Sequence, residues 1–212
     1  MKENCSLYVV TDENLANGKS HAEIARAAVA GGADIIQLRD KCKDARALYA
    51  CAKEIREITR GKALFIVNDR LDIALAAHAD GVHLGQSDLP VRVVRALSPP
   101  GFIIGLSVGS VEEARAGLAE GADYLAVSPV FDTASKSDAG AGHGIETIKE
   151  IRRAFPDAVI IGIGGLHASN ARAVIEAGLD GIAVISAVVS APDVTQAARD
   201  LKQVVLEAKN GC

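Results

Sequence analysis

The 212-residue sequence predicts an α/β protein: a single (β/α)8 TIM barrel whose one domain spans residues 1–212. Three observations favour this fold. Eight short apolar segments alternate with eight segments of helical pattern, as parallel strands joined by crossover helices require. The apolar segments are continuous, which is typical of strands covered on both faces. A turn of small residues ending in one acidic residue also precedes four of the segments. A doubly wound open sheet is the alternative, and it does not account for that recurrence.

The elements follow one another in a regular order. The odd-numbered strands are predicted at Leu7–Thr11, Ala63–Asn68, Phe102–Ser107 and Val159–Gly162. The even-numbered strands follow the recurring turn and begin near Ile35, Gly81, Tyr124 and Gly181. Helices are predicted over residues 20–31, 44–60, 70–77, 88–97, 110–120, 145–155, 168–177 and 192–209. Glycine near a helix end suits the left-handed cap that returns the chain to a buried strand.

The composition narrows the function classes. A net charge of −4 and an aromatic content of 3% disfavour nucleic-acid binding, which needs a basic face and stacking rings. No apolar run approaches the roughly 20 residues of a membrane span, and no secretory signal precedes the first strand. The cysteines Cys5, Cys42, Cys51 and Cys212 form no metal-binding pattern and are typical of a reduced protein. We expect a cytoplasmic protein with small-molecule substrates and no membrane partner; an apolar stripe on the outer helices would support a homo-oligomer.

Two carboxylates stand at the ends of separate strands. Asn68 and Asp69 end the third strand, and His83, Gln86 and Asp88 follow the fourth. Barrel active sites form at the carboxyl ends of the strands, so these side chains should meet at one rim. Two carboxylates can hold Mg²⁺ and still leave positions for phosphate oxygens. Asp69 and Asp88 are therefore the predicted metal ligands, and helix capping is the alternative interpretation of both.

Three cations occur in similar strand-end contexts, namely Arg39, Lys41 and Lys136. Gln37, Arg39 and Lys41 alternate and could share one side of an extended strand. Arg39 can bind phosphate oxygens through two N–H groups, whereas Lys41 is a compact charge. A metal flanked by cations suits an anionic leaving group such as pyrophosphate. The alternative is a set of solvated loop charges.

The ends of the last two strands predict a phosphate site. The glycine-rich phrase Ile161–Gly165 ends the seventh strand, and Ile185 and Ser186 end the eighth. Loops at these positions often bind phosphate through backbone N–H groups, although a turn without a ligand would look the same. Residues 129–143 form the longest irregular segment and suit a lid. No nucleophile–base triad is recognisable, so covalent catalysis is not favoured.

Together these segments resemble thiamine-phosphate synthase (thiamine-phosphate pyrophosphorylase) over nearly the whole chain. The matching phrases are Leu7–Asp12, Gln37–Lys41, Val67–Arg70, His83–Asp88, Gly105–Val108, Pro129–Lys136, Gly162–Gly165 and Ile185–Ser186. The resemblance implies a transferase that joins 4-amino-5-hydroxymethyl-2-methylpyrimidine pyrophosphate to a thiazole phosphate. The products would be thiamine phosphate and pyrophosphate, formed by Mg²⁺-assisted dissociative substitution.

The resemblance also implies residue roles. The pyrimidine pyrophosphate would contact Gln37, Leu38, Arg39, Asp40, Lys41, Asn68, Ser107 and Lys136, and the thiazole phosphate would contact Thr133, Ala134, Ser135, Gly165, Ile185 and Ser186. Asp69 and Asp88 match the Mg²⁺ ligands, and Arg39, Lys41, Lys136 and Ser107 are the predicted catalytic residues. Cations at these positions would stabilise the leaving pyrophosphate, and the electron-rich pyrimidine would delocalise positive charge without a protein base.

Four positions depart from the family pattern: Gly109, Ser128, Asp132 and Ser135 stand where many members carry His, Gly, Pro and Thr. Asp132 adds negative charge near the expected phosphate site. Two related functions are alternatives, a thiazole tautomerase of the same superfamily and a non-catalytic regulatory barrel that binds thiamine phosphate. An unrelated phosphate-binding barrel isomerase is a third.

Overall fold

The computed structural model describes residues 5–133 and 142–211. Within these ranges eight parallel strands close into a barrel in sequence order. The strands are β1 (Leu7–Thr11), β2 (Ile35–Leu38), β3 (Leu64–Asn68), β4 (Gly81–Leu84), β5 (Ile103–Val108), β6 (Tyr124–Val127), β7 (Ile160–Ile163) and β8 (Gly181–Val184). The barrel closes where Tyr8 of β1 pairs with Ala183 of β8. The prediction of a (β/α)8 barrel is confirmed, and the open-sheet alternative is wrong.

The helices follow the strands in the predicted alternation. They are α1 (His21–Ala30), α2 (Ala45–Thr59), α3 (Leu71–Ala76), α4 (Val91–Leu97), α5 (Val111–Glu120), α6 (Gly144–Ala154), α7 (Ala168–Glu176), α8 (Ser186–Val189) and α9 (Val194–Asn210), with a 3-10 turn at Glu13–Leu15. The helix predicted over 88–97 begins at Val91, because the N–H of Asp88 donates to the carbonyl of Gly85 in a turn that precedes it. The short α8 has no counterpart among the predicted helices. In the described part of the chain, no helix has both the length and the apolarity to cross a bilayer.

The recurring acidic residue has one structural role in all four places. Each carboxylate accepts a hydrogen bond from the backbone N–H near the start of the preceding strand and pairs with a basic side chain of a helix. The carboxylate, N–H and cation sets are Asp34 with Leu7 and Lys202, Asp80 with Phe65 and Arg56, Asp123 with Ile104 and Arg95, and Asp180 with Ile160 and Arg152. These clamps lie at the amino-terminal end of the barrel, where side chains serve stability.

Polar residues near the carboxyl ends of two strands are partly open to solvent. Six strands are buried at every residue. In β3 and β5 the half-buried positions toward the carboxyl end are Asn68 and Ser107. Both residues were predicted to contact substrate, and the barrel places them at the carboxyl-terminal rim.

Candidate active site

Asp69 and Asp88 are neighbours at the ends of β3 and β4. Their carboxyl groups lie close enough for a hydrogen bond when one of them is protonated. Burial, with the adjacent Asp88 carboxylate, raises the pKa of Asp69 to about 6, although Lys41 and Arg39 act in the opposite direction. Nζ of Lys41 is 3.9 Å from Oδ2 of Asp69. Lys41 and Arg39 therefore do not fully offset the effects that oppose ionisation of Asp69.

The backbone at Asp69 is unusual. Its φ of 61° lies in the left-handed region, which non-glycine residues adopt at a cost and mostly at functional sites. Its N–H donates to the carbonyl oxygen of His83 at 2.9 Å, so the end of β3 is tied to β4. The surrounding sheet holds the strained residue in place.

Neither aspartate caps a helix, which removes the alternative interpretation of the pair. The N-cap residues of α3 and α4 are Arg70 and Pro90, and neither makes a side-chain capping hydrogen bond. Oδ2 of Asp88 instead accepts the N–H of Gly85 at 2.6 Å within the turn after β4. This turn fixes the carboxylate at the rim.

Arg39 reaches the same rim from the end of β2. Its guanidinium lies 3.6 Å from Oδ2 of Asp12, and both side chains are about nine-tenths buried (10% and 11% exposed). Asp12 also accepts the N–H of Asn14 at the start of the 3-10 turn. Lys41 is more open, with its side chain 51% exposed. The structure thus brings together Arg39, Lys41, Asp69 and Asp88, with Asp12 as an added support to which the sequence assigned no role.

Asp40 faces the loop that carries these cations. Its carboxylate accepts the backbone N–H groups of Cys42 and Lys43, each at 2.8 Å, and Nε2 of His21 at 3.0 Å. Burial alone would raise the pKa of Asp40, but the hydrogen bonds from His21 and the loop backbone lower it well below its usual range. This carboxylate anchors the loop, so the predicted substrate contact of Asp40 stays a prediction.

A second acidic cluster surrounds that anchor. Ligand atoms of Glu13, His21 and Asp40 lie within 4.8 Å of one another, close enough to share a cation. Nζ of Lys43 already donates to both Glu13 and Asp40. Sequence reasoning missed this cluster because α1 and the loop after β2 meet only through the barrel register.

Gln37 and Ser107 are connected inside the barrel mouth. Nε2 of Gln37 donates to the hydroxyl of Tyr8 at 2.6 Å, and Tyr8 lies 3.0 Å from the hydroxyl of Tyr124. Nδ1 of His83 lies 2.9 Å from the hydroxyl of Tyr124, and Nε2 of His83 lies 3.0 Å from Oγ of Ser107. Two predicted substrate contacts thus belong to one buried network. Leu38, by contrast, is 1% exposed at the end of β2, and Asn68 lies beside His83 in the sheet.

A cavity of about 320 Å³ opens between the ends of β7 and β8. It is lined by Ser128, Pro129, Thr133, Ile163, Gly164, Gly165, Leu166, His167, Ala183, Val184, Ile185, Ser186 and Ala187. Thr133, Gly165, Ile185 and Ser186 were predicted to meet at the thiazole phosphate, and they share this cavity. The short helix α8 begins at Ser186, as in the phosphate sites of many barrels.

Glycine is required at the rim of this cavity. Gly165 has a φ of 63°, and a Cβ there would lie 2.8 Å from Cβ of Phe131 and 2.9 Å from the carbonyl oxygen of Asp132. The loop after β6 therefore packs directly on the backbone after β7, and Val130 donates to the carbonyl of Ile163 at 2.8 Å. The departure at Asp132 is partly explained, because its carboxylate accepts the N–H of Gly142 at 2.8 Å.

Some predicted residues lie outside the described part of the chain. They are Ala134, Ser135 and Lys136, together with most of the predicted lid over 129–143. The two described ends of that segment are held together, since the N–H of His143 donates to the carbonyl of Pro129 at 2.9 Å. The departure at Gly109 also has a local reason, because a Cβ there would overlap the ring of His143.

Comparisons with known proteins show which family the chain is similar to. The family model described as thiamine monophosphate synthase matches residues 7–188. The thiamine-phosphate synthase of Methanoculleus marisnigri is 58% identical over 204 residues and 96% of each chain; that of Methanocella arvoryzae is 54% identical over 200 residues and 94% of each. The solved thiamine phosphate pyrophosphorylase of Pyrococcus furiosus is 43% identical, with a TM-score of 0.90 over 98% of each chain. A 3-hexulose-6-phosphate synthase, 17% identical with a TM-score of 0.71, shares the fold alone.

Proposed function

Because the chain belongs to the thiamine monophosphate synthase family, a family of transferases, we propose that its rim joins a hydroxymethylpyrimidine pyrophosphate to a thiazole phosphate. The observation that carries the proposal is the adjacent pair Asp69 and Asp88, with Lys41 and Arg39 beside it. Such a site matches a diphosphate ester and a divalent cation together. The thiazole tautomerase alternative is less well supported, since proton transfer does not need a paired-carboxylate site of this kind.

Asp69 and Asp88 are the residues that would hold Mg²⁺. Burial first, and then the adjacent Asp88 carboxyl group, raise the pKa of Asp69; a divalent cation held by both residues would offset these effects. Carboxylate oxygens are preferred Mg²⁺ ligands, and two of them leave room for phosphate oxygens and water. When bound, Mg²⁺ would neutralise charge that develops on the leaving pyrophosphate.

The cations of the β2 loop would bind the pyrophosphate itself. Arg39 is held by Asp12 and is 10% exposed, so its guanidinium is already oriented and little screened by water. Lys41, beside Asp69, would add a second charge to the same group. As the carbon–oxygen bond breaks, its electron pair leaves with the pyrophosphate oxygen that these cations stabilise. Lys136 is proposed as a third cation on sequence grounds alone.

The cavity between β7 and β8 would hold the thiazole phosphate. Gly165 leaves the backbone accessible to a phosphate, and Thr133 and Ser186 bring hydroxyl groups to the same cavity. Ile163, Leu166 and Ile185 also line it, and such apolar walls exclude water that would otherwise capture the pyrimidine cation. The thiazole nitrogen, held near the methylene carbon, would then donate its lone pair to form the carbon–nitrogen bond.

The test incubates the purified protein with both half-substrates, with and without Mg²⁺. We expect thiamine phosphate and pyrophosphate in equal amounts, with turnover abolished by EDTA and restored by Mg²⁺. Asp69→Asn should lower turnover by two or more orders of magnitude, about 3 kcal/mol of transition-state stabilisation. The control is Asp72→Asn, a nearby carboxylate that pairs with Arg70 and is 60% exposed. Wild-type turnover that survives EDTA would refute the metal assignment.

The location of the protein is also a proposal. Of the described cysteines, Cys5, Cys42 and Cys51, none forms a disulfide, which is the usual state of thiols in a reducing compartment. We propose that the enzyme acts in the cytoplasm. Fractionation of the source cells, with the protein in the cytosolic fraction, is the expected result.

A further inference from the structure

The network between Gln37 and Ser107 draws on five strands. Tyr8 lies in β1, Gln37 in β2, His83 in β4, Ser107 in β5 and Tyr124 in β6. Its four links measure 2.6, 3.0, 2.9 and 3.0 Å. Apart from Ser107, these residues are at most 6% exposed. Water therefore has little access to the inner links.

Gly105 is the residue that makes room for the central link. A Cβ at Gly105 would overlap the phenol ring of Tyr124, so only glycine at this point of β5 lets the ring cross it. His83 stacks on Tyr124 with ring centroids 5.5 Å apart, and Tyr8 meets Tyr124 edge-on at 6.2 Å. The three rings hold one another in place, which fixes the direction in which each polar atom points.

The chemistry of the two ends sets the direction of the hydrogen bonds. Nε2 of Gln37 can only donate, so the oxygen of Tyr8 accepts from it. The hydroxyl of Tyr8 is buried and its own proton also needs an acceptor, which the hydroxyl of Tyr124 provides at 3.0 Å. The hydroxyl of Tyr124 then donates to Nδ1 of His83, so this nitrogen carries no proton. Burial raises the pKa of both phenols, so each keeps the single proton that this order requires. The remaining ring proton of a neutral His83 sits on Nε2 and points to Oγ of Ser107.

We propose that Tyr8, Tyr124 and His83 are positioning residues that hold His83 as the Nε2–H tautomer and so make the Ser107 hydroxyl a hydrogen-bond donor to the substrate. Because Oγ of Ser107 accepts from His83, its own proton is directed to an acceptor in the barrel mouth. Gln37 joins the network through Nε2, and its Oε1 offers an acceptor for the substrate. A donor and an acceptor together fit an aminopyrimidine, whose ring nitrogen accepts and whose exocyclic amine donates. The identity of this ligand rests on the proposed function; the tautomer does not.

The first test needs no substrate. ¹⁵N NMR of the imidazole groups in the free protein, with His83 assigned by the signals missing in His83→Gln, reports which ring nitrogen carries the proton. We expect a protonated Nε2 and a bare Nδ1 at neutral pH. A proton on Nδ1, or a doubly protonated ring, would overturn the proposal while leaving the Mg²⁺-dependent activity untouched.

The second test is kinetic. Tyr124→Phe and Tyr8→Phe each interrupt the hydrogen-bond network. We expect each substitution to raise KM for the pyrimidine pyrophosphate by roughly tenfold, the worth of one buried hydrogen bond. KM for the thiazole phosphate should not change. Tyr49→Phe is the matched control, since this tyrosine lies in α2 under Lys53. Equal changes in the two KM values would indicate a merely structural role and contradict the proposal.

Conservative replacement of His83 separates donation from packing. His83→Gln can still donate to Oγ of Ser107, whereas His83→Leu cannot. We expect the Gln variant to keep most of the affinity for the pyrimidine pyrophosphate and the Leu variant to lose at least tenfold. Melting temperatures of both variants show whether each is folded. A folded Leu variant that binds as well as the Gln variant would refute the role of Ser107 as a directed donor.

Discussion

At the scale of single residues, the rim holds Asp69 in an unfavourable state in the free protein. Its backbone lies in the left-handed region with a φ of 61°, and the adjacent Asp88 opposes its ionisation. Strain and repulsion both lower stability, and strained residues cluster at functional sites, which supports the proposal that Asp69 is a metal ligand. The binding of a divalent cation would convert this repulsion into coordination.

Replacing Asp69 should therefore stabilise the metal-free protein. The raised pKa of about 6 means that folding penalises the ionised carboxylate. Wild-type stability from this group is highest below about pH 4, its unfolded pKa, and falls as pH rises to about 6. Asp69→Asn removes that penalty, so its advantage should grow between these pH values and reach about 1 kcal/mol at pH 7, after allowance for solvent screening.

The measurement is urea unfolding of both proteins without metal at pH 3.5 and pH 7.5. Asn tolerates the left-handed backbone, so the substitution can also change the free energy of unfolding by an amount that does not depend on pH. Only the electrostatic contribution changes with pH, so the difference between the two pH values isolates it. Asp72→Asn, at an exposed ion pair with Arg70, is the control. An advantage that does not change between the two pH values would contradict the raised pKa of Asp69 in the folded protein.

At the scale of elements, the loop after β2 carries the proposed pyrophosphate cations on a built anchor. Nε2 of His21 lies 3.0 Å from Asp40, and its Nδ1 lies 2.7 Å from Oγ1 of Thr11. The histidine is 1% exposed. The start of α1, the end of β1 and the loop are thus joined through one side chain, which fixes where Arg39 and Lys41 stand.

Loss of this anchor should weaken binding of one substrate only. We expect His21→Leu to raise KM for the pyrimidine pyrophosphate by about tenfold, because the cations of the loop lose their fixed position. KM for the thiazole phosphate, which is proposed to bind at the opposite strands, should be unchanged. Steady-state kinetics with each substrate varied in turn is the measurement, and His78→Asn at an exposed helix end is the control. A change confined to the thiazole phosphate would contradict the assignment of the loop.

The clamps at the amino-terminal end of the barrel should serve stability alone. Asp180 accepts from Arg152 at 2.6 Å and from the N–H of Ile160 at 2.8 Å, with its side chain 13% exposed. Asp180→Ala leaves both donors without this partner and should cost about 3 kcal/mol of unfolding free energy. The kcat of the folded variant should equal that of the wild type. Asp157→Ala, at an exposed position, is the surface control, and a large fall in kcat for Asp180→Ala would place this clamp in the catalytic machinery instead.

At the scale of the whole molecule, the barrel was predictable because its pattern repeats. Four acidic turns and eight apolar segments are local signals, and strict alternation leaves few topologies. The rim residues Asp69 and Asp88 were predictable for the same reason, since a barrel brings its strand ends together. The helix α8 was not, because its four residues are about one helical turn and carry no periodicity.

The contacts across the barrel also escaped the sequence. Whether His21 meets Asp40, or Tyr8 meets Tyr124, depends on strand register and on small residues such as Gly105, which leaves space for Tyr124. Neither feature has a sequence pattern of its own. Residues that act through long-range packing are therefore the ones that a single sequence hides.

The oligomeric state is a prediction about the outer surface. Leu89, Val93 and Leu97 recur at every fourth position up to and along α4, and they are 49%, 37% and 62% exposed. An exposed apolar stripe of this kind is typical of a helix that packs on a partner, and we expect a homo-oligomer formed through it. Light scattering after size exclusion should show more than one chain in the wild type and a monomer for Leu97→Glu. Arg92→Glu, a charge change on the same helix, is the control, and a monomeric wild type would contradict the prediction.

The most direct test of the central claim is to locate the metal. Crystals grown with Mn²⁺, a substitute for Mg²⁺ with a strong anomalous signal, and with pyrophosphate should show one ion in contact with carboxylate oxygens of both Asp69 and Asp88. The pyrophosphate should lie between that ion and the cations Arg39 and Lys41. An ion bound instead among Glu13, His21 and Asp40, or no ion at Asp69 and Asp88 under saturating Mn²⁺, would contradict the account.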